Sequence, residues 1–254
     1  MKRVLLVVLI ALGLQSCTIK EEYVIYEDGK IDYNYSLNGN DLKSYIQDEG
    51  GYNSLLNEKK EVVENLKKGL TIESLHKIMI EDEDFLNDKR SNAIAYFEEN
   101  KLLYEKFKQH KVYIDFNELT YSTELNSVST VISKESDELN TFLFNLFIAI
   151  DNPFNTNYLN NQKNINSTST EIVFNKEDFK TLVSGLMPNI DAGMGDNLVY
   201  NNMFNYQLII HAPTKIVSST VEDANFSLDQ KTIRLNFTFN DIISGKNKSA
   251  KITY

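Results

Sequence analysis

The stretch Glu22-Tyr-Val-Ile-Tyr-Glu-Asp-Gly-Lys-Ile-Asp-Tyr-Asn-Tyr-Ser36 contains two runs of alternating side chains separated by Asp28-Gly29. Such alternation predicts two β-strands, and Asp-Gly is a residue pair that favours a two-residue type I′ turn. The sequence therefore predicts a β-hairpin in which Glu27 faces Lys30. The second strand would direct three side chains towards the core: Ile31, Tyr33 and Tyr35.

Outward from this hairpin, the spacing of apolar residues changes between the helical and the strand period. Apolar residues three and four positions apart predict helices at residues 54–69, 71–79, 87–109, 133–150 and 176–186. Alternating residues predict strands at residues 111–125, 171–174, 206–211, 226–228, 232–239 and 250–254. This order predicts an α+β fold, with a mainly antiparallel β-sheet from N- and C-terminal strands and packed helices from the middle of the chain. We expect the first hairpin to join the last strands.

Two stretches have no clear periodicity. Residues 151–169 are rich in asparagine, serine and threonine, and they are long for an unstructured connection in a compact domain. We interpret them as either a mobile loop or a binding loop. Residues 191–196 read Asp-Ala-Gly-Met-Gly-Asp, which is typical of a second, flexible loop.

The chain begins with Met1-Lys2-Arg3 and continues with an apolar run over residues 4–14. A positive start followed by an apolar run of this length is typical of a secretory signal peptide. The run is too short to cross a bilayer, because crossing takes about 20 apolar residues. The sequence therefore predicts export and not a membrane-spanning anchor.

The apolar run ends in Leu14-Gln15-Ser16-Cys17, which resembles the lipobox of bacterial lipoproteins. The resemblance implies cleavage before Cys17 and diacylation of its thiol, with the new amine often acylated too. It divides the chain into a signal peptide at 1–16, a short lipidated tether at 17–21 and a single α+β domain at 22–254. Two alternatives are an ordinary secretory peptide that contains a cysteine and a buried thiol in a cytosolic protein.

Cys17 is the only cysteine among the 254 residues, so no disulfide can form within the chain. The single thiol lies where the acyl acceptor should be, and this favours lipidation over both alternatives. We therefore predict that lipid, such as palmitate, on Cys17 attaches the protein to a membrane of the bacterial cell envelope, and we expect this to be the outer membrane.

Two further segments resemble lipoproteins of Bacteroidota-type bacteria. Lys20-Glu21-Glu22 resembles the short basic-then-acidic signal that sends some of them to the outer surface, although it could also be a solvated charge cluster. In residues 206–235 a strand ends in Pro213-Thr-Lys-Ile and an Asp-x-Lys-Thr hairpin follows. Together with the first hairpin, this tail resembles uncharacterised lipoproteins of these bacteria. The shared signatures are turns and strands, and they imply no catalytic residue.

The composition argues against nucleic acid as a partner. The formal net charge is −10, and loss of residues 1–16 would make it two units more negative because Lys2 and Arg3 leave with them. Nucleic-acid binding depends on clustered basic side chains. The one basic stretch, residues 101–111, has the spacing of a solvated helix face.

Candidate metal ligands are scattered along the sequence. Residues 81–84 with Asp88 are acidic, but they lack EF-hand spacing and are better interpreted as a helix start. Asp191 and Asp196 surround two glycines and form a slightly better cation loop, with too few ligands. Three isolated histidines give no zinc pattern: His76, His110 and His211. We predict no metal ion and no cofactor.

The chain has fourteen tyrosines and fourteen phenylalanines. Four tyrosines of the first hairpin could form an aromatic platform for a ligand: Tyr23, Tyr26, Tyr33 and Tyr35. The alternative is core and cross-strand packing, which aromatic residues commonly provide, and we favour it.

No motif for a nucleophilic or nucleotide-dependent enzyme occurs, so no catalytic residue is predicted. We expect a non-enzymatic envelope lipoprotein that binds a partner protein or an apolar ligand between the sheet and the helices. The alternative hypothesis is an envelope hydrolase whose site is built from dispersed carboxylates. A third is a structural spacer without a ligand.

Overall fold

The structure, a computed structural model, describes residues 17–39, 60–81, 89–150, 158–186, 204–246 and 248–254. The strands in these residues are β1 (Cys17–Ile25), β2 (Lys30–Asn38), β3 (Leu70–Thr71), β4 (Lys111–Asp115), β5 (Thr120–Val128), β6 (Gln162–Ile165), β7 (Ser169–Val173), β8 (Phe204–His211), β9 (Ser218–Ser219), β10 (Asn225–Phe226), β11 (Thr232–Thr238) and β12 (Ser249–Thr253). The helices are α1 (Lys60–Lys68), α2 (Ile72–Glu81), α3 (Arg90–Glu99), α4 (Lys101–Phe107), α5 (Ile132–Ala149), α6 (Lys176–Leu186) and α7 (Phe239–Ile243).

Eight strands form a main sheet in the order β10-β11-β8-β1-β2-β5-β4-β3, and a second sheet has the order β6-β7-β12-β9. The paired strands of the described residues are antiparallel except β1 and β8, which run parallel. Parallel neighbours need a long connection, and here the helical middle of the chain lies between them. The α+β prediction is confirmed, and so is the pairing of the first hairpin with a late strand.

Helix α5 and the second sheet pack on the inner face of the main sheet. Side chains of β1 and β2 alternate between buried and partly exposed, as expected for a sheet with one packed face. Phe144 of α5 lies edge-on to Tyr35 and Tyr121, with ring centroids 6.0 and 5.3 Å apart. Phe174, after β7, lies 4.7 Å from the ring of Phe237 in β11. The core is therefore a layer of aromatic rings between the sheets and α5.

The hairpin turn is one residue longer than predicted. The amide of Tyr26 donates to the carbonyl of Lys30 at 2.9 Å, and the amide of Gly29 donates to the carbonyl of Tyr26 at 3.0 Å. Tyr26, not Glu27, therefore faces Lys30. A type I′ turn needs positive φ at both central residues, and in this hairpin only Gly29 has it, at 82°. The predicted core face of β2 is confirmed, because all three of its side chains are buried.

The predicted tether at residues 17–21 is wrong. Strand β1 begins at Cys17, and its side chains alternate between buried and partly exposed from that residue onwards. Cys17 pairs with Phe204 of β8, and Thr18 pairs with Asn38 of β2. Neighbours on both sides hold this segment in the sheet, so it has no freedom to act as a flexible spacer.

The helical predictions are confirmed in outline, with one interruption. The amide of Ser74 donates to the Thr71 hydroxyl at 3.1 Å, so Thr71 caps α2 as predicted. The helix expected over residues 87–109 is divided into α3 and α4 at Asn100, where φ is −107° and ψ is 26°. The side-chain amide of Asn100 donates to the carbonyl of Tyr96 at 2.9 Å, which is the local competition that disfavours asparagine inside helices.

The interpretation of residues 151–169 as a loop is wrong for the part that the structure describes. Residues 162–165 form β6, which pairs with β7, and Tyr158 and Leu159 are buried. Alternation is hard to recognise here because the inward-facing side chains of β6 are Lys163 and Ile165, and only one of them is apolar. Residues 151–157, the loop at 191–196 and the acidic residues 82–84 and 88 lie outside the described residues.

Gly69 is a position where a side chain should be costly. It ends α1 with φ of 93°, and a β-carbon there would lie 2.3 Å from Cε1 of Tyr113. Gly69→Ala should lower the free energy of unfolding by about 1–2 kcal/mol for the left-handed backbone. Displacing the Tyr113 ring should add about 1–3 kcal/mol. Equilibrium unfolding in urea measures both effects together.

Gly29→Ala is the matched control for this substitution. Gly29 also has positive φ, at 82°, but the nearest atom to its β-carbon would be Oγ of Ser129 at 3.9 Å, an ordinary contact. This variant should show the backbone cost alone. Equal losses in the two variants would contradict the close approach of Tyr113 to Gly69.

Candidate functional site

Cys17, the predicted lipidation site, lies at the first position of β1 on the core face of the main sheet. Its side chain is 1% exposed. The same end of the sheet contains Asn38 of β2, Phe204 of β8 and Thr120 of β5. The opposite end carries the Asp28-Gly29 turn. A group attached to Cys17 would therefore emerge at one defined end of the strands.

The three histidines lie in different surroundings in the fold. His76 packs between the rings of Phe97 and Tyr104, at 4.4 and 4.7 Å, and burial lowers its pKa. Burial also lowers the pKa of His110. His211 on the outer face lies 2.8 Å from Glu22 Oε1. Among the described residues no three potential ligands converge on a common point that could hold a metal ion.

The four hairpin tyrosines do not form a common platform. Tyr23, Tyr33 and Tyr35 are buried in the core, and the rings of Tyr23 and Tyr33 lie 4.9 Å apart. Tyr26 alone is exposed, and its hydroxyl donates to Asp32 Oδ2 at 2.7 Å on the outer face. The favoured interpretation as core packing is therefore confirmed for three of the four.

The core contains an ionic cluster that sequence reasoning missed. Lys163 of β6 and Glu21 of β1 have fully buried side chains, with Nζ 3.2 Å from Oε2. Nζ also lies 2.8 Å from Oδ1 of Asp137 in α5 and 2.9 Å from the Tyr158 hydroxyl. An ammonium group has three N–H donors, so all three have an acceptor. Burial alone would lower the pKa of Lys163, but Glu21 and the other acceptors raise it well above its usual value.

Tyrosine hydroxyls complete this cluster. The Tyr23 hydroxyl donates to Oε2 of Glu21 at 2.5 Å, and the Tyr158 hydroxyl donates to Oδ1 of Asp137 at 3.2 Å. Burial raises the pKa of both phenols well above the usual value, so both stay protonated donors. Lys163 Nζ also lies 5.5 Å from the centroid of the Tyr158 ring, within cation–π range.

Several polar atoms around the cluster have no hydrogen-bond partner among the described residues: Glu21 Oε1, Tyr35 OH, Asn161 Nδ2 and Tyr206 OH. Each unpaired buried group costs about 1–3 kcal/mol. Because the side chains of Lys163 and Glu21 are sealed from solvent, a substrate cannot reach them. The role of the cluster is to join β1, α5 and the second sheet.

A second group of polar and aromatic side chains is open to solvent. We call it the Tyr113 groove: a depression of about 340 Å³ on the outer face of β4 and β5, beside the end of α1. Its floor consists of alternate residues of the two strands, which all point outwards. It is lined by Lys67, Tyr113, Asp115, Thr120, Ser122 and Glu124.

Three contacts hold the carboxylate of Asp115 in the groove. Lys67 Nζ lies 2.9 Å from Oδ2, and the amides of Asn117 and Glu118 donate to Oδ1 at 2.9 and 3.2 Å. Partial burial raises the pKa of Asp115, but Lys67 and the two amides outweigh it and hold the pKa below its usual value. The carboxylate therefore stays ionised at neutral pH and cannot act there as a general acid.

The sequence contains a signal for one residue of the ionic cluster and none for the Tyr113 groove. Glu21 occupies a core position in the alternation Ile19, Glu21, Tyr23, and a charge at such a position is a signal of buried pairing. Its partner Lys163 lay in a segment without periodicity, so no pattern joined the two. The Tyr113 groove combines residues more than 40 positions apart, and only the strand register brings them together.

Comparison with protein-family models, with curated proteins and with solved structures finds no match for this chain. Within the described residues, no helix has both the length and the apolar character that crossing a bilayer requires.

Lys163→Met should strongly destabilise the protein. The substitution keeps the bulk of the side chain but leaves Glu21 buried without its cation. Removal of one partner of a buried pair typically costs about 3–5 kcal/mol. The double variant Glu21→Gln, Lys163→Met should recover a large part of the loss, because neither charge then remains sealed in the core. Urea unfolding of both single variants and the double variant measures the coupling.

Lys106→Met is the control for loss of a lysine that also bridges two carboxylates. Lys106 lies 2.7 Å from Glu138 and 3.5 Å from Glu135, but the three side chains are partly exposed. The cost should be about 0–1 kcal/mol, as for surface ion pairs. A loss for Lys163→Met no larger than this would contradict the buried cluster.

Asp115→Asn should reduce stability in a pH-dependent way. The pKa of Asp115 is lower in the folded chain than its usual value of 3.8. Its ionised form therefore stabilises the fold fully above about pH 5, and this contribution is lost as the pH falls through the lowered folded value. The variant should lose about 1 kcal/mol at neutral pH. In urea titrations the gap from the parent should narrow below about pH 4, and a constant gap would refute the assignment.

Proposed function

We propose that this chain is a lipoprotein of the bacterial cell envelope, held on a membrane by acyl chains on Cys17, which binds a ligand without transforming it. The observation that carries the binding function is the Tyr113 groove, which is open to solvent and in which Lys67 and Asp115 already pair with each other. Side chains that are ordered before binding lose less entropy when a ligand binds.

The anchor proposal is supported by the signal-like start and the lipobox of the sequence. Each buried methylene of an acyl chain contributes about 0.8 kcal/mol, so two or three chains give permanent attachment. The membrane is proposed to be the outer membrane, and outward exposure rests on the resemblance of Lys20-Glu21-Glu22 to a surface signal. Glu21 belongs to the buried cluster, so only Lys20 and Glu22 would be readable in the folded protein.

Burial of Cys17 sets a condition on the anchor. A thiol that is 1% exposed cannot carry a diacylglycerol group without some movement. We expect the side chain, and with it the first residue of β1, to turn out at the sheet end when lipidated. The end with Asn38 and Phe204 would then lie next to the membrane, with no spacer between them.

A binding role fits the chemistry of Asp115 and Glu21 better than hydrolysis. Glycosidases need a carboxylic acid that stays protonated near neutral pH beside an ionised partner. In the groove, Asp115 is held ionised by Lys67. In the core, Glu21 is enclosed. The groove is also polar, so it favours a polar ligand over the apolar one expected from the sequence.

Cys17→Ala should abolish acylation and release the protein from membranes. Cells that express the tagged chain are grown with an alkyne analogue of palmitate, and the label on the protein is read after a click reaction. The parent should be labelled and found in the membrane fraction. The variant should carry no label, because no other thiol exists in the chain.

Thr18→Ala is the control, because Thr18 is the next residue of β1 and lies on the other face. It should keep both label and membrane association. Persistent labelling of Cys17→Ala would overturn the proposed anchor. Release of turnover products from envelope glycans or peptides by the purified protein would instead overturn the proposal that it binds without catalysis.

A further inference from the structure

We infer that the Tyr113 groove binds a segment of neutral carbohydrate, an inference that rests on the proposed binding function. The groove is a site that combines an aromatic ring with hydroxyl and carboxylate side chains on the open face of a sheet. The aromatic ring can pack on the C–H face of a sugar, and the polar side chains can bond to its hydroxyls.

The charges of the groove disfavour a charged ligand. Lys67 is paired with Asp115 at 2.9 Å, and this contact raises the pKa of Lys67 and lowers that of Asp115. An anion such as phosphate would have to displace a carboxylate that also accepts two backbone amides. A cation would meet Lys67, although the lining has one more acidic side chain, Glu124, than basic ones. An uncharged ligand disturbs neither half of this pair.

The remaining lining groups suit a polyhydroxylated molecule. Thr120 and Ser122 supply hydroxyls that can donate or accept, and the carboxyl group of Glu124, which also interacts with the Tyr113 hydroxyl, supplies acceptor oxygens. Sugar hydroxyls both donate and accept, so they can pair with all three. An aliphatic or lipid ligand would cover these polar groups without offering them hydrogen bonds, which is unfavourable.

Tyr113 supplies the apolar surface that sugar rings also need. The C–H face of a pyranose packs on an aromatic ring, which combines apolar area with a defined orientation. Gly69 provides the space for this ring, because a β-carbon at residue 69 would overlap it at 2.3 Å. The ring is therefore positioned by the backbone at the end of α1, and its place does not depend on a ligand.

The groove also has the right extent. Its volume of about 340 Å³ lies at the lower end of the range for small-molecule sites, about 300–1,000 Å³. It is open and not enclosed, so the inferred ligand can be part of a longer chain of sugar units.

The test is calorimetric titration of the full-length protein, purified from cells in a detergent without a sugar headgroup. The probes are cellohexaose, maltohexaose and the hexamer of N-acetylglucosamine. At least one should bind with a dissociation constant below about 1 mM, which corresponds to about 4 kcal/mol. Tyr113→Ala should weaken that binding at least about tenfold, which corresponds to about 1.4 kcal/mol.

Two further variants provide a milder change in the groove and a control outside it. Ser122→Ala removes a single hydroxyl from the groove, so it should fold normally and weaken binding about threefold to tenfold, as for one hydrogen bond. Tyr26→Ala removes the exposed tyrosine at the far end of the same face and should leave binding unchanged.

Absence of binding by all three probes at millimolar concentration would overturn the inference, as would binding that neither groove variant weakens. Acylation of Cys17 is read independently, so a labelled protein that binds no sugar would overturn the ligand class and leave the anchor intact. Cleavage of a bound hexamer would support the ligand class and overturn the function without catalysis.

Discussion

The buried contact between Lys163 and Glu21 is the constraint around which the core is arranged. Moving two charges out of water costs several kcal/mol for each ion, and their attraction offsets this only when the geometry is good and the remaining donors are satisfied. The structure meets this condition with Asp137 and the hydroxyls of Tyr23 and Tyr158. These groups come from the main sheet, α5 and the β6 segment, so the pair fixes how the layers meet.

Much of the fold follows from local patterns, and the exceptions have physical causes. Alternation and the helical period located most elements, because one packed face forces those periods. The hairpin turn differed by one residue because Asp28 keeps an ordinary backbone and Gly29 alone is left-handed. Strand β6 was not predicted because Lys163 occupies one of its buried positions, and a lysine is interpreted as a surface residue unless its partner, here Glu21, is known.

The functional sites also differ in how far the sequence predicts them. Cys17 is recognised from four neighbouring residues, and its acylation stays a prediction. The Tyr113 groove could not be predicted, because its ring, its ion pair and its hydroxyls come from α1, β4 and β5 and meet only through strand register. Glu21 was available as a signal, since a charge in the core face of an alternating strand needs a partner elsewhere in the fold.

The central place of β1 has a mechanical consequence. This strand is paired along its whole length with β2 on one side and β8 on the other. A pull on Cys17 along the strand axis would load all these hydrogen bonds in shear at once, since they lie roughly across that direction. Resistance to such a pull is governed by the barrier to unfolding, not by equilibrium stability. A domain attached to the membrane through β1 should thus withstand brief forces better than one attached through the short edge strand β10.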